Sequence, residues 1–297
     1  MSKVLVTGAR GFIGSALVQK LNAQGYKTLS VSSKDGDIAE VETLTKFSQE
    51  KISHIIHLAA KTFVPDSLAN PQLFYRTNVL GTTNVLEFCR VNRIPLTYVS
   101  AYIYGHCDSL PISENVKVQP SNPYAMTKWL AEQICSFYAN NYDLPITTIR
   151  PFNVYGIGQD QNFLIPKVIS QVVSDSNEIL VNDLMPKRDY IFLDDLITAL
   201  IATLNKSDGY NVYNIGSGIS ISVKEVIDII QDIAGTHKNV SCSRIARINE
   251  LQNVVADITK AKSNFGWHPK YTFREGIEII LKSEFNRRKN DIPLRAN

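Results

Sequence analysis

The stretch V4-L-V-T-G8-A-R-G11-F-I-G14 constrains this chain more than any other part of it. A short valine-rich run reads as a strand, and from Phe12 onward the apolar residues take up helical spacing. Between them three glycines fall at every third position. Gly8 permits a tight turn, Gly11 lets backbone amides approach a pyrophosphate, and Gly14 lets the helix pack close to the sheet. The helix start then offers free N–H groups and the positive end of its dipole to phosphate. A glycine triplet alone would be weak. With a strand before it and a helix after it, the segment reads as a dinucleotide site formed by Gly8, Arg10, Gly11, Phe12, Ile13 and Gly14.

The rest of the first half keeps the same rhythm. Residues 4–7, 28–32, 54–58, 96–100 and 146–149 read as strands, and residues 12–24, 41–50, 72–92 and 123–141 as helices. Such alternation implies a parallel sheet covered on both faces, and right-handed crossovers make it doubly wound. After residue 151 glycines and prolines break the pattern into shorter elements. Residues 191–193 and 194–204 read as one more strand and helix, and 222–234 and 273–282 as late helices. The expected division is a dinucleotide-binding domain over 1–151, to which 188–215 returns, and a smaller C-terminal α/β lobe from 152–187 and 216–297.

Composition narrows the class. Of 297 residues 44% are hydrophobic and 20% charged, enough for a real core. A net charge of +3, with the aromatics spread along the chain, argues against a nucleic-acid partner. No apolar run approaches the roughly 18 residues of a membrane span. The chain starts straight into a strand, with no signal peptide. Cys89, Cys107, Cys135 and Cys242 form no CxxC pair, which reads as reduced thiols in a cytoplasmic protein without a metal site. The basic end, Arg287-Arg288-Lys289, reads as a solvated tail.

Cofactor choice is written at the end of the second strand. A carboxylate there would bind the adenosine ribose hydroxyls and repel a 2′-phosphate. The chain has Ser32, Ser33 and Lys34 instead, with no acid before Asp35, and Arg10 stands in the glycine loop. Two cations and two hydroxyls suit a 2′-phosphate, which favours NADP(H) and leaves NAD(H) possible. Asp37 and Ile38 would border the adenine.

The chemistry is carried by two further segments. Y98-V-S100-A-Y102-I-Y104-G105 follows a strand and ends at its C-terminal edge. N122-P-Y124-A-M-T-K128-W-L places Tyr124 and Lys128 four apart on one helix face. A lysine near a tyrosine lowers the phenol pKa. Ser100 can polarise a substrate oxygen while Tyr124 moves a proton beside a nicotinamide.

These pieces, with H57-L-A59-A60, N78-V-L-G81-T, R150-P-F-N153-V-Y-G156, R188-D-Y-I-F-L-D194-D195 and D257-I-T-K-A, resemble the extended short-chain dehydrogenase/reductases of the nucleotide-sugar epimerase, dehydratase and ketoreductase group. The resemblance implies a Rossmann domain, a smaller lobe closing over a nucleotide-diphospho-sugar, and a homodimer through helices 72–92 and 123–141. It implies cofactor contacts from Leu58, Ala59, Ala60, Tyr124, Lys128 and Pro151. It places Asn153 on the sugar diphosphate, Arg188 and Arg247 around the pyrophosphate, and Glu250 on the nucleotide ribose. Asn182-Asp183-Leu184 departs from the group's usual Gly-Asp-Gly turn.

Within the group, dehydratases carry an acidic pair matching Ala101 and Tyr102, and decarboxylating members a glutamate matching Tyr102. This chain has neither. Members that epimerise C3 and C5 use a Cys/His pair; here Tyr102 replaces the cysteine and Gln159 stands near the histidine's place, while His106 and Cys107 lie past Gly105. Tyr102 would either shape the sugar pocket or pack structurally. Two reactions remain: reduction of a nucleotide-linked 4-keto-6-deoxyhexose, which supplies deoxysugar precursors and draws on NADPH, and 4-epimerisation with a recycled NAD. Arg10, Ser32 and Lys34 tilt the choice to the reductase. A non-catalytic NADP-sensing protein on the same fold is the remaining alternative.

Overall fold

The computed structural model describes residues 3–107, 109–205, 208–243 and 251–291, with side chains to residue 287. In chain order the first half runs β1 (Lys3–Thr7), α1 (Phe12–Ala23), β2 (Lys27–Val31), α2 (Glu42–Thr45), β3 (Ile52–His57), α3 (Val64–Ala69), α4 (Pro71–Phe74), a π-helical turn (Tyr75–Leu80), α5 (Gly81–Asn92), β4 (Leu96–Val99), α6 (Pro123–Tyr142) and β5 (Ile146–Pro151). The second half runs β6 (Asn153–Tyr155), α7 (Leu164–Val172), β7 (Glu178–Val181), β8 (Lys187–Phe192), α8 (Leu193–Ala202), a 3-10 turn (Thr203–Asn205), β9 (Tyr210–Ile215), β10 (Ser220–Ser222), α9 (Val223–Ala234), β11 (Asn239–Cys242), α10 (Thr259–Phe265) and α11 (Phe273–Asp291).

Six strands form one sheet in the order β2-β1-β3-β4-β5-β9, every pairing parallel. The alternation within β1 shows why both faces are covered. Val4 and Val6 join the core that holds Leu17 and Leu21 of α1 and Leu196 and Leu200 of α8. Leu5, between them, joins the opposite core, with Val85 and Leu86 of α5 and Ala131 and Cys135 of α6. Because every strand runs the same way, the loops after β1, β3, β4 and β5 lie at one edge, and the strand order reverses there between β1 and β3. Ligands bind at that edge in such sheets.

The expected Rossmann doubly wound α/β sheet is what the chain forms. Of the 188–215 segment, β9 pairs with β5 and α8 lies on α1, but β8 sits between β10 and β6 in a separate three-stranded sheet. β7 and β11 form a third, two-stranded sheet. Residues from β7, β8, α7, α9 and α11 enclose their own core around Val168, Ile191's neighbour Phe192, Val226 and Ile277.

Three expected helices differ. Residues 41–50 yield only the four-residue α2 within a run of turns: Thr43 and Thr45 are poor helix formers, and Thr43 Oγ1 donates to the Asp37 carbonyl at 2.5 Å. The 72–92 helix is continuous but widens over the π-helical turn, where Asn78 is buried with its side chain bonded across to Lys61. The helix expected at 273–282 runs on to Asp291, so Arg287 lies within α11, donating to Glu284 at 2.8 Å.

Candidate active site

The glycine turn is packed too tightly for side chains. Gly8 has φ of +68°, and a Cβ there would meet the Ala59 nitrogen at 2.8 Å. A Cβ at Gly14 would run into the Gly8 carbonyl. The Gly11 amide closes the turn on the Gly8 carbonyl at 2.9 Å, and Gly11 caps α1 without any side-chain cap and with no acid in the first turn. First-turn amides and dipole are therefore left for an anion, which is what a dinucleotide pyrophosphate requires. Phe12 and Ile13 are half-buried behind it, and Arg10 is exposed beside it.

At the end of β2 the structure departs from the expected phosphate pocket. Ser33 and Lys34 are exposed, but Ser32 donates both its amide (2.9 Å) and its hydroxyl (2.7 Å) to one oxygen of Asp35. The chain thus folds a carboxylate back to the place where its sequence offers hydroxyls. These bonds, with Lys46 and Arg10 nearby, hold the Asp35 carboxyl below its ordinary value. Asp37 is ion-paired with Arg76 and accepts the Ala39 amide, while Ile38 is buried against Gly81. Leu58, Ala59 and Ala60 form the half-buried loop after β3, and Pro151 is buried at the end of β5.

Ser100 follows β4 directly, its amide bonded to the Ile149 carbonyl at 2.8 Å. Its hydroxyl is buried with no hydrogen-bond partner. Tyr124 and Lys128 are placed by the start of α6: Asn122 accepts the Ala125 amide at 2.9 Å and Pro123 occupies the first turn. Lys128 is 4% exposed, donates to the Val99 carbonyl at 2.8 Å and lies 5.1 Å from the Tyr98 ring centre. Burial lowers its pKa to about 8, against the pull of Glu132 one turn further on. The expected lowering of the Tyr124 phenol is not what the structure has. Burial, with Tyr102 nearby, raises it, and the Lys128 ammonium is turned to the Val99 carbonyl.

Two residues quoted in motifs but given no role complete this region. Asn78 accepts the Lys61 amide (2.8 Å) and donates to the Lys61 carbonyl (3.0 Å) and to Thr127 Oγ1 (2.9 Å), tying the π-helical turn to α6. Asp189, fully buried, accepts the amides of Ser217, Gly218 and Ala256. Their motif positions were visible; what they bridge was not, because each joins segments far apart in sequence.

Of the residues expected to meet the substrate, Tyr102 stacks on Phe152, with ring centres 5.5 Å apart. Asn153 begins β6 and donates to the Asp189 carbonyl at 3.1 Å. Arg188, half-buried on β8, donates to the Leu251 carbonyl at 2.6 Å and to its neighbour's carbonyl at 2.8 Å. Gln159 donates to the Val154 carbonyl at 2.8 Å. Arg247 and Glu250 lie outside the described residues. Among the described residues no group of three or more His, Cys, Asp or Glu side chains could hold a metal ion, and no helix is long and apolar enough to cross a membrane.

Comparison with known proteins shows the family and the fold. The model of the NAD-dependent epimerase/dehydratase family matches residues 4–216. The chain is 30% identical to a putative UDP-glucose 4-epimerase of Methanocaldococcus jannaschii, over 94% of this chain and 97% of that one. It is 29% identical to the GDP-6-deoxy-D-mannose reductase of Pseudomonas aeruginosa, over 94% of this chain and 96% of that one. The structure of RMD from Pseudomonas aeruginosa complexed with NADPH superposes with a TM-score of 0.89 at 27% identity, covering 97% of this chain and all of that one.

Proposed function

Since this chain belongs to the NAD-dependent epimerase/dehydratase family, we propose that it reduces a nucleotide-linked 4-keto-6-deoxyhexose at C4, with NADPH as the favoured reductant. The observation that carries the reading is the Ser100 hydroxyl at the end of β4, buried with no hydrogen-bond partner. Such a group costs free energy until a ligand oxygen meets it. A carbonyl oxygen at C4 fits that need. A bound nicotinamide dinucleotide would supply the hydride.

The remaining work falls to the side chains. Ser100 donates to the C4 oxygen and holds it. Tyr124, protonated at neutral pH by its burial, gives that oxygen its proton as negative charge develops. Lys128 sets the local field and, anchored by the Val99 carbonyl, stays at the cleft floor. Tyr102, stacked on Phe152, forms a flat wall for the sugar. Ala101 and Tyr102 bring no acid, so the side chains needed to eliminate water or carbon dioxide are missing there. Arg10 and Lys34 support the 2′-phosphate. Asn153, Arg188, Arg247 and Glu250 are assigned to the nucleotide-sugar, and a homodimer through residues 72–92 (α4, the π-helical turn and α5) and 123–141 (α6) is proposed with them.

A second reading is favoured by one observation. The Asp35 carboxylate on Ser32 suits a free adenosine ribose hydroxyl better than a phosphate, and so suits an NAD-recycling 4-epimerase. Tyr124→Phe and Ser100→Ala test the shared chemistry. Each is expected to lower turnover by about 10²- to 10⁴-fold, with nucleotide-sugar binding by calorimetry retained. Near-normal turnover in Tyr124→Phe would overturn the assignment.

A further inference from the structure

We infer that Thr82, His57 and Thr7 form a hydrogen-bonded positioning device that fixes the loop after β3 against the glycine turn of the dinucleotide site. His57 ends β3 and is 1% exposed. Both of its ring nitrogens are engaged: Nδ1 lies 2.6 Å from Thr7 Oγ1, and Nε2 lies 3.1 Å from Thr82 Oγ1.

The direction of each bond follows from its partners. Thr82 Oγ1 donates its one proton to the Asn78 carbonyl at 2.6 Å, so toward His57 it can only accept. Nε2 therefore carries the ring proton. Nδ1 is left as an acceptor and takes the Thr7 hydroxyl proton. The Thr7 oxygen then accepts the amides of Leu58 (3.2 Å) and Ala59 (3.1 Å). A hydroxyl has one proton and two lone pairs, and in Thr7 all three are used.

The consequence reaches the cofactor site through backbone. The Leu58–Ala59 peptide is the surface that a Cβ at Gly8 would strike. Its setting depends on Thr82, which is 1% exposed on α5 and does not line the cleft. If the ring proton moved to Nδ1, that N–H would face Thr7, and the Thr7 proton would have to turn toward two amide donors. Donor would then meet donor at the floor of the site. Burial, aided by the charge of Lys128, opposes a second proton on the ring and holds its pKa to about 3.

The test uses the full-length protein and its affinity for NADH and NADPH, read by reduced-nicotinamide fluorescence, with thermal unfolding measured alongside. Thr82→Val and Thr7→Val are expected to weaken the tighter-bound dinucleotide by about tenfold or more, because each leaves a buried group unpaired. Thr82→Ser and Thr7→Ser, which keep the hydroxyl, are expected to bind within about twofold of the parent. Nitrogen-15 NMR of His57 should show the neutral Nε2-protonated tautomer across about pH 6–8 in the parent, and a mixture in Thr82→Val. Parent-like affinity in Thr82→Val, whatever its melting temperature, would overturn the inference, as would an Nδ1-protonated ring in the parent. Should Thr7→Val fail to fold, the Thr82 pair and the NMR spectrum decide.

Discussion

Lys128 is buried against the Val99 carbonyl and the Tyr98 ring, and that burial holds its ammonium to a pKa of about 8. Turnover is therefore expected to decline as pH rises through about 8, with Lys128→Met lacking that limb; a flat parent profile to pH 9 would contradict it. Stability follows the opposite sign. The unfolded lysine keeps its proton up to 10.5, so between about 8 and 10.5 the folded state binds fewer protons, and this group alone makes stability rise with pH there. Asp35, bonded to Ser32 at the end of β2, is the residue through which the proposed cofactor choice can be tested. Removing its charge in Asp35→Asn should shift the NADPH-to-NADH affinity ratio toward NADPH by about tenfold, the effect of roughly 1.4 kcal/mol of lost repulsion. An unchanged ratio would take Asp35 out of cofactor selection. The sequence shows Asp35 three positions beyond Ser32, but its return onto Ser32 is a property of the turn between them.

At the scale of elements, α6 carries two of the three proposed catalytic residues, Tyr124 and Lys128, and most of its spacing was legible. Asn122-Pro123 marks the start, and Tyr124, Lys128 and Glu132 follow at one-turn intervals. The lowest of these steps is structural: Glu132 is fully buried and grips Arg150 on β5 through bonds of 3.0 and 2.5 Å. Glu132→Ala leaves a buried guanidinium without its partner and should cost about 3–5 kcal/mol, read as a lower denaturation midpoint. A loss below about 1 kcal/mol would mean that water reaches Arg150. Strands were readable because β-branched runs sit between turn residues. The π-helical turn was not, since only the tertiary bonds of Asn78 to Lys61 and Thr127 reveal why the helix widens there. The same holds for residues 36–50, where Asp37 organises turns that outweigh a helical pattern.

At the scale of the molecule, Asp195 ties the segment around residues 267–271 to α8, the helix that packs with α1. Its carboxylate accepts the Lys270 and Tyr271 amides at 2.9 and 3.1 Å, and its carbonyl accepts the Trp267 indole at 3.1 Å. The helices of the proposed dimer leave Leu80 (47%), Val91 (67%), Leu130 (37%) and Phe137 (54%) exposed. Phe137→Glu should convert a dimer to a monomer by light scattering; a parent protein that is already monomeric would contradict the dimer. The most direct test of the whole account follows reduced-nicotinamide absorbance with a panel of nucleotide-linked 4-keto-6-deoxy sugars. Stoichiometric oxidation is expected, faster with NADPH than with NADH. No oxidation, with NAD carried through purification and a fully hydroxylated nucleotide-hexose interconverted, would contradict it and assign the chain to 4-epimerisation.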